Sequence, residues 1–132
     1  MSKLNDPLSS LISSDTKSVD RQKLAELLQR FVSIDQDTKE FGFLDAFTEI
    51  ENNIGKIEIL LAASKARALF LNEPDGLFPG DIITLSIMPA GSVKSSLKKL
   101  SDKYKIKQDK EGRYFIPAYH IPELFKQFNN QS

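Results

Sequence analysis

At 132 residues, 40% apolar and 27% charged, the chain has the composition of one folded domain with room for an appendage, long enough to bury a core without covalent staples. The absence of cysteine excludes disulfides, thiolate nucleophiles and cysteine-ligated zinc. The formal charge of zero hides a segregation: residues 1–90 carry nine Lys/Arg against fourteen Asp/Glu, a balance of −5, and residues 91–132 carry nine against four, a balance of +5. Screening confines attraction to about 8–10 Å at physiological salt, so the local excess decides whether a polyanion can dock.

The start MSKLNDPLSSL holds an acid and a proline before any apolar run, and no stretch approaches the roughly 18 apolar residues of a membrane span. The expectation is a cytoplasmic protein with no membrane segment. Asp6-Pro7 and the spacing of Leu4, Leu8, Leu11 and Ile12 predict a short N-terminal helix. Ser18 and Asp20 are cap candidates for a helix over residues 19–33, with Leu24, Leu27, Leu28, Phe31 and Val32 as its apolar stripe. A polar insert then separates Val32/Ile34 from Phe41/Phe43, an alternation that suggests a small hairpin or an extended loop.

DAFTEIENN predicts a brief helix, and Asn52 or Asn53 caps a long one through IGKIEILLAASKARALFL, where Ile57, Leu60, Leu61, Ser64, Ala68 and Leu71 recur at helical spacing. This is the expected spine. NEPDGLFPG breaks the chain, Pro79 opens a short apolar helix through DIITLSI, and Met88-Pro89 stops it. A polar, basic helix follows from Ala90 to Lys103. Two β-type runs, 105–108 and 113–116, flank a turn in which Gly112 supplies the positive φ, and IPELFKQF closes with an amphipathic turn or two.

Long helix, break, short helix, turn, basic helix and hairpin is the order of a helix-turn-helix followed by a wing. Ile82 and Ile83 fall where the first helix of such a unit packs, Met88 where the chain turns inward, and Val93, Leu97 and Leu100 on the buried face of the second helix; GSVKSSLKKL and then KIK…GRYFIP supply helix, strand, wing and strand. Over roughly residues 53–117 the chain thus resembles the winged-helix superfamily of DNA-binding domains. It carries Ile83, Ile87 and Tyr104 where that pattern usually has a small residue, a glycine and a glycine. The resemblance implies a mainly α fold with a small β-hairpin wing, divided into an N-terminal helical extension (1–50) and a winged helix-turn-helix domain (51–132). It also implies that the second helix enters the major groove while the wing reaches backbone or minor groove.

The residues themselves point the same way. With Val93, Leu97 and Leu100 buried, Ser92, Ser95, Ser96, Lys99 and Lys103 are expected on the opposite face. Gly91 and Ser92 offer backbone N–H groups at a helix start. Ser95, Ser96 and Lys99 are the candidate base readers, while Lys94, Lys98, Lys103, Lys107, Lys110 and Arg113 would position the phosphate backbone. Against this stands the ordinary role of Lys and Ser in keeping a helix face solvated. Tyr114 and Tyr119 are expected to pack on the spine helix in preference to stacking on a base.

A catalytic reading has little to use. His120 is the only histidine, a structural or surface residue by expectation; Asp35/Asp37, Glu49/Glu51 and Asp109/Glu111 fall where carboxylates solvate and cap; and no phosphate loop, GxGxxG or GxSxG is present. Neither enzyme activity nor a cofactor is expected. The partner expected is double-stranded DNA, in a small transcriptional regulator; the alternative is a winged-helix module that docks a protein without binding DNA. The helix over 19–33 needs a surface to pack on, and a homodimer through the N-terminal helices and a cover for the spine within one chain both remain open.

Overall fold

The computed structural model describes residues 7–8 and 14–129, and the Asp20 carboxylate starts its first α-helix, α1 (Arg21–Leu28), by accepting the Lys23 N–H at 3.1 Å. The short helix expected around Leu4–Ile12 lies outside the described residues apart from Pro7 and Leu8. α1 ends sooner than its apolar stripe implied. Val32 and Ile34 are β-branched and join a strand, β1 (Val32–Ile34), antiparallel to β2 (Phe41–Phe43), with Val32 opposite Phe43 and Ile34 opposite Phe41. Asp35 closes this hairpin by accepting the N–H groups of Asp37 and Thr38, both at 2.8 Å, which hold its carboxyl below the usual Asp value.

A brief helix, α2 (Asp45–Thr48), leads to Asn52, whose side chain accepts the Ile54 N–H at 2.9 Å and starts α3 (Asn53–Leu71). α3 is the expected spine: Ile57, Ile59, Leu60, Leu61, Ala62 and Ala63 are all fully buried. It ends at Asn72 in the left-handed conformation, a role to which asparagine is suited. The last helix, α6 (Ile121–Asn129), buries Ile121, Leu124 and Phe128.

α1 packs on α3 and α6, with Leu24, Leu27 and Leu28 buried, and the Phe31 and Phe128 rings meet edge-on at 5.4 Å. Each leucine so buried is worth about 2 kcal/mol against exposure. One apolar cluster therefore takes residues from α1 and from the helices that follow. Leu24, Leu27 and Leu28 of the stripe thus find an apolar seat on α3 and α6 of the same chain.

α4 (Pro79–Thr84) starts with proline in its first turn and with Asp81 accepting the Phe78 N–H at 3.1 Å. The turn to α5 (Ala90–Asp102) passes through the left-handed region at Ser86, φ 58°, one residue before the expected Ile87. α5 lies against α3 and α4, burying Val93, Leu97 and Leu100. It ends in a left-handed cap at Tyr104, φ 60°: Tyr104 N–H donates to the Ser101 carbonyl and Lys105 N–H to that of Leu100, both at 3.0 Å.

The second hairpin, β3 (Lys107–Gln108) and β4 (Tyr114–Phe115), is shorter than the two predicted runs, and Gly112 adopts φ 102° at its turn. Leu77, in the segment before α4, pairs with Tyr114 through reciprocal N–H to carbonyl bonds of 2.9 and 2.8 Å. Gly76 permits this approach, since at φ 97° a Cβ there would lie 2.6 Å from the Tyr114 carbonyl oxygen. The hairpin is thereby fixed beside α4 and α5.

Candidate nucleic-acid interface

The outer side of α5 carries Lys94, Ser95, Lys98 and Lys99, all exposed, with Ser92 half-buried and Lys103 exposed at its end. Lys94 and Lys98 line a shallow groove of about 360 Å³ whose far side is formed by Pro79 and Tyr114. The lysines thus border the space between α5 and the β3–β4 hairpin. Among the described residues Lys94, Lys99, Lys103 and Lys110 form no ion pair, whereas Lys98 meets Asp102 one turn on at 3.3 Å. That pair is well exposed on both sides, so it is worth a few tenths of a kcal/mol at most and opens readily to another anion.

Three predicted contacts are corrected. Ser96 is buried, 4% exposed, because it stands one turn after Val93 and one before Leu100 and so shares their stripe; it cannot read a base. The Ser92 N–H is taken by the Pro89 carbonyl at 3.0 Å, so it is not free for an anion, while Gly91 is exposed at the helix start. Arg113 is half-buried: its guanidinium stacks over Phe78 at 4.7 Å, donates to Glu111 and lies 3.7 Å from Asp109. It braces the hairpin against the start of α4, with Nη1 held between Glu111 and Asp109.

Asp109 builds the hairpin turn. Its Oδ1 accepts the N–H groups of Glu111, Gly112 and Arg113, each at 2.9 Å. Burial opposes its ionisation, but these three bonds and the nearby Arg113 charge win, holding its carboxyl below the usual value. Asp109 therefore faces the turn, while Lys110 stays exposed at the tip and Lys107 is exposed on β3.

Tyr119 departs from its expected core role. It is 59% exposed, with its hydroxyl donating to the Tyr104 carbonyl and the Lys107 ammonium 5.5 Å from its ring centre. Tyr104 is 80% exposed. Tyr114 is half-buried and packs against the core.

Two polar clusters escaped sequence reasoning. Lys65, midway along α3, is fully buried and lies 2.5 Å from both Asp15 and Asp75, with Phe115 at 5.4 Å. Asp15 also accepts the Ala118 N–H at 2.7 Å, so this cluster fastens the N-terminal segment across the spine. Burial pushes the Asp75 carboxyl up, against the pull of the Lys65 ammonium, and its Oδ1 has no partner among the described residues. His120 is buried as a structural residue, with Nε2 2.9 Å from Glu58 and Nδ1 3.1 Å from Glu123. The sequence signals were a lone lysine inside ILLAASKARALFL and an acid, Glu58, between apolar neighbours.

Among the described residues no group of three or more His, Cys, Asp or Glu side chains is placed to hold a metal ion, and no helix is long and apolar enough to cross a membrane. Comparison with protein-family models, with curated proteins and with solved structures finds no match for this chain.

Proposed function

We propose that the chain is a winged-helix protein that binds double-stranded DNA, with α5 in the major groove and the β3–β4 hairpin as the wing on the backbone. The observation that carries this reading is the set of lysines, Lys94, Lys98, Lys99 and Lys103 on α5 with Lys107 and Lys110 on the hairpin, beside a helix face kept low by Gly91 and Ser95. α5 is 13 residues long and held on its inner side by α3 and α4, so it presents a rigid convex edge to a groove about 12 Å wide. Ser95 and Lys99 lie one turn apart at its exposed centre and are the base-edge readers in this account. Lys94, Lys98, Lys103, Lys107 and Lys110 hold phosphates. A small transcriptional regulator, acting by occupancy of its site, fits a chain of this size.

A second reading is a winged-helix module that docks a protein, and it draws on the neutralised positions: Lys98 beside Asp102, and Arg113 bound to Glu111 and Asp109. Fluorescence anisotropy against a mixed-sequence duplex separates the two. Binding that weakens steeply with added salt supports DNA; no binding at low salt favours the protein-docking module.

A further inference from the structure

Two of the chain's three tyrosines stand in solvent at one place, the junction of α5 and β3, and the chain has no tryptophan. Tyr104 projects from the left-handed cap of α5 and is 80% exposed; Tyr119 is 59% exposed and tethered by its hydroxyl to the Tyr104 carbonyl. Both therefore sit on fixed backbone, Tyr104 in a conformation that most residues avoid and glycine would adopt freely. Two lysines flank them: Lys103 precedes Tyr104 and Lys107 lies over the Tyr119 ring, while Lys105 is offset by Glu123 at 3.8 Å.

Two exposed rings beside lysines, next to the edge proposed to hold the duplex, suit a flat, π-rich partner that brings negative charge with it. A paired base does not qualify, since its faces are stacked inside the duplex. We infer that Tyr104 and Tyr119, with Lys103 and Lys107, form a stacking platform for unpaired nucleobases in a single-stranded DNA segment adjoining the duplex held by α5. Lys103 and Lys107, at the edge of the duplex contact, hold the phosphates where duplex meets single strand, and the rings take the unpaired bases beyond, the division of labour by which proteins hold single strands without reading their sequence. This inference rests on the DNA-binding reading and adds a preference: duplex ends or openings above continuous duplex.

The test compares a blunt mixed-sequence duplex, the same duplex with a short oligothymidine overhang, and one whose overhang carries abasic sugars. Anisotropy should give about tenfold tighter binding for the thymidine overhang than for the other two. The intrinsic emission, which comes from tyrosine alone, should be quenched only by the thymidine overhang. A Tyr104→Gly/Tyr119→Leu variant should bind all three alike at the blunt-duplex affinity, and Tyr119→Phe, which keeps the ring, should retain the preference.

Equal affinity of the wild-type protein for all three probes would overturn the platform and leave duplex binding standing. Binding of the thymidine-overhang probe with no binding of the blunt or abasic probes would uphold the platform and overturn the duplex reading. Failure to bind any probe at low salt would overturn both.

Discussion

Replacing Lys65 by methionine tests how the N-terminal segment is fastened to the spine. The Lys65 side chain is fully buried and its ammonium lies 2.5 Å from each of Asp15 and Asp75, whose side chains are 35% and 19% exposed. Methionine fills the space left by the lysine stem but abandons two carboxylates that face each other across it. Removing one member of a buried ion pair costs about 3–5 kcal/mol, and because both carboxylates keep some contact with water the lower figure applies. For a domain of this size that is a fall of about 10–15 °C in Tm.

The deficit should shrink as pH is lowered into the carboxylate range, because burial already raises the Asp75 carboxyl and its protonation removes one of the stranded charges. Adding Asp75→Asn to Lys65→Met should recover at least half of the loss at neutral pH. Melting followed by circular dichroism reads all three proteins. A Lys65→Met protein that melts within about 2 °C of the wild type would refute the reasoning, as would a double variant less stable than the single one.

Other expectations follow from the same geometry. Tyr104→Gly should raise stability by about 1 kcal/mol in urea unfolding, since it relieves a left-handed residue whose ring is in solvent; a loss of stability would mean that the ring packs. Asp109 has its carboxyl held below the ordinary 3.8, so its contribution to the hairpin is present at neutral pH and is lost as pH falls through and below that value. Hydrogen exchange of the Gly112 and Arg113 amides, taken relative to the intrinsic rate at each pH, should therefore accelerate selectively on acidification. In Asp109→Ala it should already be fast at neutral pH.

Much of this molecule was legible in its residues because local chemistry settles local structure. Asp20 and Asn52 cap the helices they were expected to start, Gly112 turns the second hairpin, and the alternation of Val32/Ile34 and Phe41/Phe43 became paired strands. Boundaries failed where two patterns overlapped. Phe31 and Val32 fit the stripe of α1, but the strand opposite Phe43 claimed Val32. Ser96, expected on the face opposite Val93, Leu97 and Leu100, lies inside because it stands three residues after Val93 and four before Leu100.

The candidate site was legible as a distribution of lysines and illegible as a set of pairings. Nothing in GRYFIP reveals that Arg113 would be drawn onto Phe78, a residue 35 positions earlier, or that the Tyr119 hydroxyl would reach the Tyr104 carbonyl. The Lys65 cluster joins residues 15, 65 and 75, contacts that exist only once α3 has gathered both flanks of the chain. Such long-range partners depend on topology, which spacing alone does not encode.

The proposed function requires that Lys94, Lys98 and Lys103 hold DNA phosphates. Its most direct test is the salt dependence of binding to a mixed-sequence duplex for the wild type and for Lys94→Ala/Lys99→Ala/Lys103→Ala, the three α5 lysines free of ion pairs among the described residues. The wild type should show a steep linear fall of log affinity with log salt, and the variant a slope shallower by roughly 0.9 for each of its two lost phosphate contacts, Lys94 and Lys103, about 1.8 in all. An unchanged slope, or no wild-type binding at low salt, would contradict it.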